Sequence, residues 1–180
     1  MVTTHRLTVE EYFALPEEKP YLEYVNGEVC PKPMPDWMHF TVALAIVRAL
    51  ADHADRYGGH AGFEGRVGFD DPRDVRFLLP DVQFYAAGRP WKQRPMPPPT
   101  LAVEVRSPEQ SMASLREKCR FYRAHGVDVC WLIDPEARTA EVFDAGREGV
   151  LFPADGALES EALPGFRFRL ADLFATLDAD

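Results

Sequence analysis

A chain of 180 residues, 46% apolar and 12% aromatic, predicts one domain over residues 1–180 with a substantial core, and excludes wholesale disorder. The net charge of −9 argues against a protein that coats nucleic acid nonspecifically. No apolar run approaches the ~18 residues of a membrane span, and the start, MVTTHRLTVEEYF, has no signal-peptide core, so the expectation is a soluble cytoplasmic protein with no membrane partner.

In chain order, Thr8 with Glu11 three residues later has capping-box spacing and opens a short amphipathic helix that ends at Pro16. YLEYVNGEVCPKP predicts a hairpin turning at Asn26-Gly27. MHFTVALAIVRALADHADRYGG predicts the clearest helix, with Phe40, Ala43, Leu44, Val47, Leu50, Ala51 and Ala54 on one face and Gly58-Gly59 as its stop. Strands follow at about 62–69 and 76–85, separated by the turn-rich DDPRD. The proline-rich RPWKQRPMPPPT leads into the strand LAVEVRS. SMASLREKCRFYRAHG is a helix with Ser111 and Ser114 as cap candidates and Met112, Leu115, Cys119 and Tyr122 as its apolar stripe. VDVCWLID and TAEVFDAG are further strands, and the tail adds a strand near 149–152 and the helix LADLFATL. Strand, helix and strand between 101 and 133 form a βαβ-like unit in a partly antiparallel sheet, so the class is α/β (α+β). Cys30, Cys119 and Cys130 are far apart, with no C-x-x-C, and read as small core residues.

Charge is unevenly spread. Residues 86–123 hold eight basic and three acidic side chains, while both flanking segments are acidic. Such clustering arises on solvated faces, and it is also what binding a polyanion requires.

LAVEVRSP poses the chemical question. Alternation puts Leu101, Val103 and Val105 on one face and Ala102, Glu104 and Arg106 on the other, so a core strand carries an acid. Asp81 in LLPDVQF, directly after Pro80, opens the preceding β-rich run. If the two strands are neighbours, their carboxylates converge and repel unless a cation neutralises them. Hard oxygen ligands of this kind suit Mg²⁺ or Mn²⁺, which need only one or two protein carboxylates. A metal so held activates water and stabilises charge growing at phosphorus. Lys118, one helix later, reaches the attacking water or a phosphate oxygen. Each residue also has a purely structural reading: a turn or cap for Asp81, an ion pair with Arg106 for Glu104, a solvated charge for Lys118. A metal-free acid-base pair of Asp81 and Glu104 needs one raised pKa, which Arg106 and Lys118 oppose.

The succession of YLEYVNGE, His39 at the start of the long helix, PDV, LAVEVRSP, the EK of REKCR, and GVDVCWLIDP resembles the Uma2 family of restriction endonuclease-like proteins. That family lies in the PD-(D/E)xK nuclease superfamily, and the resemblance covers about residues 6–145. It implies a restriction endonuclease-like mixed central sheet flanked by helices, and a Mg²⁺-dependent (or Mn²⁺-dependent) DNA endonuclease. It implies that Asp81 and Glu104 hold the metal with the Val105 carbonyl as third ligand. Lys118 would replace the lysine normally found two residues after the strand acid. Glu23 and His39 match recurrent family positions and are accessory candidates for the same site; the alternatives are an exposed hairpin charge and a local helix hydrogen bond. Arg106 stands where the superfamily has its strand lysine; always protonated, it clamps a phosphate or pairs with Glu104 but is a poor proton acceptor. Ser114 replaces the family's acid four residues before the helix lysine, and Cys130 the aromatic before Trp131. Two functions stay open. One is a DNA phosphodiesterase, a homodimer when cutting both strands, with backbone contacts from 86–123 and charge stabilisation by Lys118 and Arg106. The other is a nuclease-like fold that binds nucleic acid or a protein partner with weak or no catalysis.

Overall fold

The computed structural model describes residues 6–178. Thr8 opens α1 (Val9–Phe13): its hydroxyl accepts from the Glu11 N–H at 3.2 Å, and the Glu11 carboxylate accepts from the Thr8 N–H at 2.8 Å. The predicted capping box thus satisfies two orphan donors reciprocally. The helix stops short of Pro16 and buries Tyr12 against Tyr24 and Phe77. Asn26 and Gly27, at φ 50° and 93°, join β1 (Leu22–Val25) to β2 (Glu28–Pro31) in the expected Asn-Gly hairpin.

Asp36 caps α2 (Trp37–Tyr57), accepting from the His39 N–H at 2.8 Å. The buried stripe is His39, Val42, Ala43, Ile46, Leu50 and His53. It is rotated from the predicted one, and Phe40 and Ala51 are exposed. Apolar residues surround the middle of this helix, so periodicity alone does not set its phase, and two histidines fall on the buried side.

Each of the strands predicted at 62–69 and 76–85 is two strands: β3 (Gly59–Phe63) and β4 (Val67–Asp71), then β5 (Asp74–Leu78) and β6 (Val82–Ala86). β4 and β5 form the hairpin around DDPRD, while the breaks at 64–66 and 79–81 carry the chain between two sheets. Pro80 has no N–H to continue the ladder at the second crossing. The smaller sheet is antiparallel with order β2-β1-β5-β4.

The larger sheet adds β7 (Leu101–Val105), β8 (Val129–Asp134), β9 (Thr139–Phe143) and β10 (Glu148–Phe152), in the order β10-β9-β8-β7-β6-β3. β7 and β8 pair in parallel, and α3 (Met112–Ala124) is their crossover, as the βαβ reading expects. Of the two cap candidates Ser111 caps α3, accepting from the Ser114 N–H at 3.1 Å. Short β11 (Ala157–Leu158), β12 (Phe168–Arg169) and α4 (Leu170–Ala175) close the tail.

α2 and α4 cover one face of the larger sheet through Val42, Ile46, Leu50 and Leu173 against Leu101, Val103, Val105 and Ile133. α3 covers the other through Leu115, Cys119 and Tyr122 against Ala102, Cys130 and Leu132. Each such side chain contributes about 1.5–3 kcal/mol when fully buried. Cys119 and Cys130 are core residues as expected, whereas Cys30 is exposed. Among the described residues no helix is long and apolar enough to cross a membrane.

Candidate active site

With Leu101, Val103 and Val105 committed to the α2 face, Glu104 faces α3, and it is 2% exposed. Lys118 and Tyr122, one helical turn apart, meet it there. The Tyr122 hydroxyl donates to Glu104 Oε1 at 2.7 Å, and the Lys118 ammonium lies 3.1 Å from Oε1 and 3.2 Å from Oε2. Lys118 also donates to Glu23 Oε1 at 2.8 Å, and the same oxygen accepts the Leu79 N–H at 2.8 Å. Glu23 on β1 is therefore a member of the cluster and not an exposed hairpin charge.

Asp81 sits at the second crossing between sheets and is 4% exposed. Its Oδ2 accepts the Val105 N–H at 2.6 Å and lies 3.1 Å from His39 Nε2. That N–H belongs to the peptide that Glu104 begins, so the two acids flank one peptide unit at the end of β7. Oδ1 lies 2.7 Å from the ammonium of Lys32. Lys32 donates in turn to the Leu79 carbonyl at 2.6 Å, and Glu64 Oε1 is 3.8 Å away. Asp81, Glu104, Lys118, Glu23, His39 and the Val105 N–H thus come together.

Lys32, Glu64 and Tyr122 complete the cluster and were missed as site residues. Their signals are slight: Lys32 is one of only four lysines in an arginine-rich chain, and Tyr122 stands four residues after Lys118.

Arg106 is the correction. Its guanidinium bonds Asp134 at 3.1 Å and Glu136 at 3.2 Å, so it neither pairs with Glu104 nor joins the cluster. β7 ends at Val105, so the alternation of faces along the strand does not extend to Arg106. The basic segment is also largely neutralised. Arg89 pairs with Asp128, Arg106 with Asp134, Arg116 with Glu141, Lys118 with Glu104 and Arg120 with Glu148, while Arg123 bonds the Val127 carbonyl. Lys92 and Arg94 make no ion pair among the described residues.

The electrostatics separate the two acids. Burial would raise the Asp81 carboxyl, but Lys32 and His39 outweigh it and hold the group well below the usual carboxylate range. Burial pushes Glu104 up to about 7, opposed by Lys118 and reinforced by Asp81. Lys118 is raised: burial lowers it, and Glu104 and Glu23 outweigh that. Four carboxyl groups (Glu23, Glu64, Asp81, Glu104) share two ammonium groups (Lys32, Lys118), so acids outnumber lysines by two in the cluster. Among the described residues no three of His, Cys, Asp and Glu are grouped to hold a metal by themselves. A cleft of about 940 Å³ is lined by Phe13, Phe69, Asp70, Pro95 and Met96 among others, and neither Asp81 nor Glu104 reaches it.

This fold has a counterpart. The chain is similar to a protein from Anabaena variabilis whose crystal structure is described as that of "a putative nuclease belonging to DUF820", with 25% identity, a TM-score of 0.83, and 95% of this chain and 99% of that chain covered. None of the curated proteins compared with it matches. The family model Uma2, described as "Putative restriction endonuclease", matches residues 9–172. With nearly the whole of its length so matched, the sheet crossing that carries Asp81 and the β7-α3-β8 unit that carries Glu104 and Lys118 included, this chain belongs to the Uma2 family.

Proposed function

We propose that the chain is a DNA endonuclease that hydrolyses phosphodiester bonds with Mg²⁺ or Mn²⁺ held at Asp81 and Glu104. The carrying observation is the convergence of Asp81, Glu104 and Lys118 from a sheet crossing, a strand and a helix onto one buried cluster. Donor chemistry supports the ion: two carboxylates and the Val105 carbonyl are hard oxygens, and the excess of acids over lysines in the cluster suits a divalent cation. When bound, such an ion supplies Lewis acidity, polarising a phosphate oxygen and making water a better nucleophile. The protein's own groups divide the remaining work. His39 and the Val105 N–H fix the Asp81 carboxylate, and Tyr122 fixes Glu104. Glu23 aims the Lys118 ammonium, which stabilises negative charge on a phosphate oxygen. In the purified chain, supplied with DNA and Mg²⁺ or Mn²⁺, Asp81→Ala and Glu104→Ala are each expected to slow cleavage at least ~100-fold. Cleavage that survives both substitutions sinks the assignment.

A second reading, a nuclease-like fold that binds nucleic acid or protein without cutting, is favoured by the burial of both carboxylates beneath lysine ammonium groups. Calorimetry separates the two: Mn²⁺ binding that depends on Glu104 supports the nuclease, and its absence supports the binding module.

A further inference from the structure

The cluster contains a second lysine that the nuclease reading leaves without a task. Lys32 follows β2, is buried, and holds Asp81 Oδ1 at 2.7 Å and the Leu79 carbonyl at 2.6 Å. A carboxylate oxygen offers about two lone-pair sites. Oδ2 of Asp81 has both in use, one by the Val105 N–H and one by His39. A hard cation must therefore approach Asp81 at Oδ1, where the Lys32 ammonium stands. Two cations on one oxygen repel strongly away from water.

We propose that Lys32 is a resident counter-cation which a divalent ion must displace from Asp81, so that loading the site exchanges ammonium for metal. This rests on the metal-dependent reading above. The displaced ammonium has a destination: Glu64, on the loop between β3 and β4, lies 3.8 Å away and is partly exposed. A small opening lined by Lys19, Tyr21, Met34 and Glu64 adjoins Lys32. Lys118 is held by two close carboxyl groups, Glu23 and Glu104, whereas Lys32 has only Asp81 at such a distance, which makes Lys32 the more readily displaced of the two. The exchange weakens apparent metal affinity by the fraction of time that Asp81 is already occupied.

Calorimetric titration of the full chain with Mn²⁺ tests this. Lys32→Met is expected to bind at least about tenfold more tightly than wild type, Lys32→Arg within about threefold of it, and Asp81→Asn not at all. A measurement on the unmutated protein does not depend on any variant folding. Saturating Mn²⁺ is expected to raise acylation of Lys32 severalfold relative to Lys19 and Lys92, read by mass spectrometry. Wild-type Mn²⁺ binding through Asp81, with Lys32→Met no tighter and Lys32 labelling unchanged, overturns the exchange and leaves the metal reading standing. No Asp81-dependent Mn²⁺ binding in either wild type or Lys32→Met overturns both.

Discussion

Glu104 sits where burial and charge pull against each other. Desolvation, opposed by Lys118, lifts its carboxyl from the ordinary 4.5 to about 7, so the folded protein keeps a proton that the unfolded chain releases. The sign follows from linkage: this contribution is complete below about pH 4.5 and is lost as pH rises through about 7. A single group shifted this far contributes up to about 3 kcal/mol. Asp81, held low, acts in the opposite sense, and only below its ordinary value of 3.8. Urea unfolding in metal-free buffer should therefore show stability falling between pH 5 and pH 8, with Glu104→Gln removing most of the slope. A wild-type curve that is flat or rising across that interval contradicts the assignment. Glu104 was legible because an acid inside LAVEVRSP has no polar neighbour on its own strand that fully explains it. Lys32 was not, because a lysine after a hairpin carries no sequence mark distinguishing a buried ion pair from a solvated charge.

At the scale of elements, the β1–β2 hairpin does more than turn the chain. It carries Glu23 on one strand and delivers Lys32 just past the other, so its register sets two of the cluster's charges. Gly27 holds φ at 93°, and an added Cβ would lie 2.8 Å from Arg6 Cβ. Gly27→Ala should therefore cost about 1–2 kcal/mol from the left-handed backbone alone. Denaturant titration measures this, and a substitution that leaves stability unchanged would show that the turn relaxes freely. The hairpin itself was readable from Asn26-Gly27, because only a few residue types accept positive φ at both turn positions. The phase of α2 was not, since a helix apolar on most sides offers several equivalent stripes. The doubling of strands 62–69 and 76–85 was also hidden. A run of β-forming residues does not record which of two sheets each half joins.

For the whole molecule, most of the positive charge at 86–123 is paired with carboxylates, several of the pairs at the surface. Five of that segment's eight basic residues pair with carboxylates on neighbouring elements, which leaves Lys92 and Arg94 on the proline-rich loop, and Arg123 on a backbone carbonyl, without an ion pair among the described residues. Any binding to duplex DNA through this segment should accordingly depend weakly on salt. With at most three phosphates neutralised, log K against log salt should have a slope no steeper than about −3. Lys92→Ala with Arg94→Ala should remove most of it. A slope several times steeper in fluorescence anisotropy titrations would place the DNA on another surface.

Sequence by itself determined the class, the βαβ unit and the hairpin, and it singled out two acids and Lys118 that the fold brings together, because these depend on local periodicity, turn chemistry and motif order. Tertiary structure alone decided that Arg106 leaves for Asp134, that Glu23 joins Lys118, and that Lys32 reaches Asp81. Those pairings span 28, 95 and 49 positions of chain. Which charge meets which across such distances is set by how the two sheets and α3 pack, and the partners leave no local trace in the chain.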